Sequence, residues 1–123
     1  MAPRLRIAVA DDDPDTREFF QELLERLGHE VVAAEDGRRL VEVCRAFRPD
    51  LVITDDRMPG LGGIEAAAEI NRERAVPVLL VSARCDVEVL ARGAGGHVVG
   101  CLAKPVKGPD LEAALARALA RPE

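Results

Sequence analysis

The chain has 123 residues, 48% of them hydrophobic and 32% charged, a balance that suits one globular domain with a single core and leaves too little length for two. Its formal charge of -5 and scattered basic residues offer no footprint for nucleic acid or an anionic membrane surface. No apolar run approaches the roughly 20 residues that span a bilayer, and residues 1–6 hold no signal-type apolar stretch, so a cytoplasmic protein is expected.

Leu5, Ile7 and Val9 open a short run that stops at Asp11-Asp12-Asp13, and residues 5–10 are a predicted strand. Asp13 and Pro14 then form a helix start, because the carboxylate caps free N–H groups and proline at the first helical position has none to lose. Phe20, Leu23, Leu24 and Leu27 recur at helical spacing, and Gly28 suits a left-handed C-cap. A second strand is predicted at 31–34, a turn at Asp36-Gly37, and a second helix on Leu40, Val43, Cys44 and Phe47, which stops before Pro49.

The third strand, 51–54, is a β-branched run that ends on Asp55-Asp56. Residues 58–63 follow as a loop with Gly60, Gly62 and Gly63, then a weaker third helix on Ile64, Ala67, Ala68 and Ile70. Pro77 opens the fourth strand, 78–81, apolar on both faces and stopped by Ser82. A strand buried on both faces belongs in a parallel sheet covered by helices on each side. Residues 86–92 allow a short fourth helix, expected to be mobile because Gly93, Gly95, Gly96 and Gly100 crowd its far end. A fifth strand, 100–103, ends at Lys104-Pro105, and Leu111, Ala114, Leu115, Ala118 and Leu119 mark the last helix. The alternation is (βα)5, an α/β fold with a doubly wound, five-stranded parallel sheet.

In such a sheet all strand C-termini share one edge, where ligands bind. That edge collects Asp11 and Asp12, Asp55, Ser82 and Lys104. Crowded carboxylates repel unless a cation joins them, and an all-oxygen set suits Mg2+. Lysine and serine opposite them suit a phosphoryl group, and a carboxylate can itself be the nucleophile. The chemistry read from these residues is Mg2+-assisted phosphoryl transfer onto an aspartate.

The acidic pair Asp11-Asp12, Asp55 three residues before Met58-Pro59-Gly60, Ser82-Ala83 and Lys104-Pro105 occur in order at strand ends. With these motifs the chain resembles, over essentially its whole length, the receiver domain of two-component response regulators. The resemblance implies a single receiver domain over residues 1–123, with flavodoxin-like strand order 2-1-3-4-5. It implies that Asp55 accepts phosphate from a sensor histidine kinase or phosphotransfer protein, and that Asp12, Asp55 and the backbone carbonyl of Arg57 bind Mg2+, with Asp11 acting through water. It further implies that Lys104 contacts the carboxylate and phosphoryl oxygens, that Ser82 swings toward the phosphoryl group, and that the Lys104–Pro105 peptide is cis. A signalling switch rather than an enzyme is expected, with a second copy of the chain as a further candidate partner. No direct contact with nucleic acid or membrane is expected.

Rival readings fit these residues less well. A pseudo-receiver that binds partners without phosphate is the alternative function, disfavoured because every site position is filled. A free-standing phosphohydrolase lacks a general acid and a pocket of its own. Asp56 as acceptor fits the loop spacing less well than Asp55; it adds a negative charge where receivers usually have an apolar residue, and the Arg57 side chain is expected to screen it. Asp11, Asp13, Asp15 and Glu22 match the acidic positions of a calcium-binding EF-hand loop, but Thr16 stands where that loop needs glycine for its turn. His29 and His97 read as structural or solvated.

The three cysteines, Cys44, Cys85 and Cys101, are an odd number without metal-ligand spacing, so reduced thiols are expected and a zinc site is excluded. Cys101 stands three residues before Lys104, where receivers usually carry an aromatic switch residue. The expected consequence is an output carried by the order or position of the fourth-helix region, with a redox-sensing thiol at Cys101 as the alternative.

Overall fold

The computed structural model describes residues 4–120, and residues 1–3 and 121–123 lie outside the described part. The elements follow in strict alternation: β1 (Arg6–Ala10), α1 (Pro14–Arg26), β2 (Glu30–Ala34), α2 (Gly37–Phe47), β3 (Leu51–Asp55), α3 (Gly63–Glu73), β4 (Val78–Ser82), α4 (Val87–Gly93), a 3-10 turn (Ala94–Gly96), β5 (Val98–Ala103) and α5 (Gly108–Ala120). The strands are all parallel and lie in the order β2-β1-β3-β4-β5. The (βα)5 arrangement and strand order are those expected.

Period-two alternation divides the core between the two faces of the sheet. Ala8, Ala10, Val52, Val78 and Leu80 face one way, against Leu40, Val41 and Cys44 of α2, Ile64, Ala66, Ala67 and Ile70 of α3, and Val89 of α4. Ile7, Val9, Leu51, Ile53, Leu79 and Val81 face the other way, against Phe20 and Leu24 of α1 and Leu111, Ala114, Leu115 and Ala118 of α5. All residues of β3 and β4 are buried, as a central strand covered by helices on both sides requires. Truncating Leu80 to alanine there would cost about 2–5 kcal/mol.

Local signals act as the sequence indicates at several ends. Asp13 caps α1 by accepting from the Asp15 N–H, with Pro14 in the first turn, and Gly28 takes a left-handed φ of 98° just past that helix. Helix α2 ends before Pro49, with Arg48 in the left-handed region. The helical stripes are narrower than their spacing suggests: Leu27 and Leu119 stand exposed, Leu23, Val43 and Phe47 are half-buried, and Val41 and Ala66 are buried in the core. Strands β2, β3 and β4 each run one residue beyond expectation, onto Glu30, Asp55 and Ser82, because ladder pairing with a neighbour extends past the apolar run, and β5 begins two residues earlier, at Val98, which pairs with Val78 ahead of a register irregularity.

The glycines after α4 have a packing role. A Cβ at Gly93 would meet Val98 Cβ at 2.7 Å, and one at Gly96 would meet the Ala68 backbone nitrogen at 2.8 Å. Gly93 lets the end of α4 lie against β5, and Gly96 lets the 3-10 turn lie directly on α3, where Asn71 Nδ2 also donates to the Gly96 carbonyl at 2.9 Å.

The cysteines correct the expectation of three reduced thiols. Cys85, in the loop after β4, and Cys101, in β5, form a disulfide with Cα atoms 5.6 Å apart, and only Cys44 is free. Parallel pairing sets Cys101 opposite Leu80, and the chain leaving Ser82 turns back over β5, so two residues 16 apart in sequence come together.

Candidate phosphoryl-acceptor site

The sheet register delivers the site residues to one edge. Ala10 pairs with Thr54, Asp55 with Val81 and Ser82 with Ala103. One further backbone bond beyond each ladder fixes the next residue: Asp11 N–H to the Ala34 carbonyl at 3.2 Å, Asp56 N–H to the Val81 carbonyl at 2.8 Å, and Lys104 N–H to the Ser82 carbonyl at 2.9 Å. The loop carrying Asp55 is closed from below by Gly63, where any Cβ would overlap the Asp55 carbonyl. The Arg17 guanidinium donates to the Asp11 carbonyl at 2.8 Å and ties α1 to the end of β1.

Asp11, Asp12 and Asp55 each present a carboxylate oxygen within 4.8 Å of the others. Asp11 and Asp55 are buried, whereas Asp12 is exposed. Lys104 Nζ lies 2.9 Å from Asp55 Oδ1 and 4.0 Å from Asp11 Oδ2, the latter too long for a hydrogen bond. Burial, helped by the charges of Asp55 and Asp12 and opposed by the Asp13 N–H and Lys104, raises the Asp11 carboxyl above the usual carboxylate range. Burial works against the Lys104 ammonium, but the hydrogen bond and charge of Asp55, then Asp11 and Asp12, outweigh it and hold its pKa above that of an ordinary lysine.

Three carboxylates thus face one ammonium, and Asp11 Oδ2 is buried with no hydrogen-bond partner among the described residues. A buried oxygen without a partner is costly, and a hard divalent cation on this all-oxygen set would satisfy it. The residues present therefore fit such an ion.

Ser82 Oγ donates to Asp56 Oδ2 at 3.2 Å and accepts from the Arg84 N–H at 3.1 Å. Asp56 is thus engaged by Ser82, and no ion pair with Arg57 forms among the described residues, contrary to the expected screening. Asp55, Asp56, Arg57, Ser82, Arg84 and Lys104 line a cleft of about 280 Å³ open to solvent. The Arg57 side chain is exposed at its rim. The Lys104–Pro105 peptide is cis. His29 and His97 sit away from this edge, bonded to the Leu5 N–H at 3.1 Å and to Asn71 Oδ1 at 2.9 Å.

The response regulator receiver domain family model matches residues 7–116. The chain belongs to the receiver domain family of response regulators. This receiver is 34% identical over 117 residues to the transcriptional regulatory protein PdtaR of Mycobacterium tuberculosis, covering 94% of this chain and 57% of that protein. It superposes on the chemotaxis protein CheY4 of Vibrio cholerae with a TM-score of 0.89 at 25% identity, over 94% of this chain and 99% of that one. The signal receiver domain of NarL from Mycobacterium tuberculosis superposes with a TM-score of 0.85 at 31% identity, over 98% and 100% of the two chains. The receiver spans about half the length of the curated transcriptional regulators it matches. As a receiver it is a signalling module, and its acidic cluster of Asp11, Asp12 and Asp55 is suited to a metal ion.

Sequence reasoning missed the Cys85–Cys101 bond, the Ser82–Asp56 pair and the Arg17 tie. A signal for the first was present. Cys85 follows Ser82 by three residues and Cys101 precedes Lys104 by three, so once β4 and β5 are neighbours the two are placed on adjoining strand ends.

Proposed function

We propose that this receiver takes a phosphoryl group onto Asp55 from a phosphohistidine of a sensor histidine kinase or phosphotransfer protein, and that the phosphorylated form changes partner binding. The observation that carries the reading is the 2.9 Å contact of Lys104 Nζ with Asp55 Oδ1 at an edge where Asp11 and Asp12 also converge. Asp11, Asp12, Asp55 and the Arg57 carbonyl would hold Mg2+, the ion this oxygen set suits, with Asp11 acting through water. When bound, Mg2+ neutralises charge that develops on the phosphoryl oxygens. Lys104 holds one oxygen of Asp55 and leaves the other to attack phosphorus. The bond from phosphorus to the donor imidazole breaks as the acyl phosphate forms, and the imidazole takes up a proton. Ser82, released from Asp56, then donates to a phosphoryl oxygen.

Residues 1–123 are read as one receiver domain that promotes its own phosphorylation and dephosphorylation rather than turning over a separate substrate. Among the described residues no helix is long and apolar enough to cross a membrane, which accords with a cytoplasmic site of action next to a kinase. A second copy of the chain is a further candidate partner. The net charge of -5 argues against direct binding to nucleic acid.

Incubation with acetyl phosphate and Mg2+, read by intact mass, tests the reading. One phosphoryl adduct on the wild type and none on Asp55→Ala is the expected result. No adduct in any metal condition would overturn it in favour of a pseudo-receiver.

A further inference from the structure

The two strand ends that flank Asp55 on its β4 and β5 side are tied together by a covalent bond. Cys85 lies three residues beyond Ser82 and Cys101 three residues before Lys104, and their disulfide encloses α4 and the 3-10 turn within a 16-residue separation. The connection from this bond to the site is continuous. Asp86 caps α4 by accepting from the Val89 N–H at 3.0 Å, the Arg84 N–H reaches Ser82 Oγ at 3.1 Å, and Ser82 Oγ reaches Asp56 Oδ2 at 3.2 Å. Cys85 sits inside that run.

We infer that Cys85 and Cys101 are a reversible dithiol–disulfide site, oxidised by exchange with a low-molecular-weight disulfide, whose oxidised form holds Ser82 on Asp56 and slows phosphoryl acceptance at Asp55. The slowing rests on the Asp55 reading above; the redox site itself does not.

The two cysteines differ in access as exchange requires. Cys85 is exposed, so its thiolate can attack a sulfur of the small disulfide and expel one thiolate. Cys101, half-buried against the core on the α3 and α4 face, then attacks the Cys85 sulfur of the mixed disulfide and expels the second. One sulfur–sulfur bond is broken in the small molecule and one is formed in the protein. Two electrons pass to the reagent sulfurs, which leave as two thiols carrying the two protons that Cys85 and Cys101 lose. The Cα separation of 5.6 Å lies in the range that disulfides adopt. Cys44 is an internal control: it is buried, and burial, only partly offset by Arg74, pushes its thiol up to about 12, where little thiolate forms.

The link to Asp55 follows from tethering. A phosphoryl group on Asp55 needs the Ser82 hydroxyl to leave Asp56, and because Ser82 Oγ also accepts the Arg84 N–H, its turn either breaks that second bond or carries the Arg84 backbone with it. With Cys85 fixed to β5 that segment is restrained from both ends. Reduction removes one of the two restraints.

The test equilibrates the full chain with mixtures of reduced and oxidised glutathione, quenches by alkylation under denaturing conditions, and maps the labelled cysteines. Labelling of Cys85 and Cys101 should fall together while Cys44 stays labelled throughout. Phosphorylation of the oxidised form by acetyl phosphate with Mg2+ should be slower by about fivefold or more, a rise of about 1 kcal/mol in the barrier. Cys85→Ser should abolish that difference. Persistent labelling of both residues in excess oxidised glutathione, or equal phosphorylation rates in the two forms, overturns the inference. If neither form takes phosphate, the Asp55 reading fails instead, and hydrogen exchange over residues 83–100 decides the tether: a gain in protection on oxidation upholds it, and unchanged protection overturns it.

Discussion

Ser82 Oγ donates to Asp56 Oδ2 across 3.2 Å, so the hydroxyl expected to serve the phosphoryl group is occupied by the carboxylate next to the acceptor. The pairing arises because the Asp56 N–H continues the β3–β4 ladder onto the Val81 carbonyl, which sets the Asp56 side chain level with the residue after Val81. On the proposed reading, Asp56 would oppose phosphorylation in two ways, by holding Ser82 and by adding a like charge beside Asp55. Asp56→Ala removes both. Because Asp56 is half-exposed the charge is partly screened, so a gain of about 1 kcal/mol, or roughly fivefold in rate, is expected. An intact-mass time course with acetyl phosphate measures it, and an unchanged or slower rate rules the account out. Adding Ser82→Ala to Asp56→Ala should erase part of the gain, since the two residues share one contact.

Mg2+ should stabilise the receiver through the carboxylate cluster. Asp11 Oδ2 is buried and without a hydrogen-bond partner among the described residues, and Asp11, Asp12 and Asp55 repel one another in the absence of a cation. An ion bound by the folded chain alone raises stability by about 2.7 kcal/mol at a concentration one hundred times its dissociation constant. Thermal melting with and without Mg2+ should show an increase that is lost or much reduced in Asp12→Asn. Asp12 is exposed, so that substitution leaves the core intact. Equal melting shifts in the two proteins would remove Asp12 from the metal site.

The strand ends were legible in the sequence because each apolar run stops on a residue that cannot continue it, at Asp11, Asp55, Ser82 and Lys104, and a parallel sheet places all such ends on one edge. Contacts that depend on register and loop direction were not legible. The sequence leads to the expectation that Arg57 screens Asp56, because residue spacing carries no information on which β4 residue lies beside it. Cys85 and Cys101 looked like separate thiols because their meeting requires the loop after β4 to turn back over β5. Leu27 and Val43 were assigned to core stripes that in the fold are only as wide as the sheet beneath them.

The glycines after α4 invite the opposite reading from the one their composition suggests. Gly96 lies so close to α3 that a Cβ would meet the Ala68 nitrogen at 2.8 Å and the Ala67 carbonyl carbon at 3.0 Å, both backbone atoms that cannot move aside. Gly96→Ala should therefore destabilise the protein by about 1–3 kcal/mol, the usual cost of overpacking, although alanine is intrinsically the better helix former. Gly95 has open space at the same position, so Gly95→Ala should be neutral or slightly stabilising. Urea unfolding of the two variants checks the contrast. Similar midpoints for both would mean that the segment yields, as a loosely held helix end would.

His29 links pH to stability. Its Nδ1 accepts the Leu5 N–H at 3.1 Å just before β1, a bond that requires this nitrogen to be unprotonated. Burial lowers the pKa of the ring below the ordinary 6.5. As pH falls, the unfolded chain therefore takes up the proton before the folded chain does. The stabilisation is fully present above about pH 6.5 and is lost as pH falls through the lower folded value. Between about pH 7 and about pH 5 the wild type should lose stability through this group. His29→Asn, which cannot be protonated in this range, should lose less. Urea midpoints of both proteins across the range measure the difference and subtract the carboxylates common to both. Parallel declines would show that the imidazole is not coupled to folding. A divergence that opens below about pH 6.5 is the expected signature of the Leu5 bond.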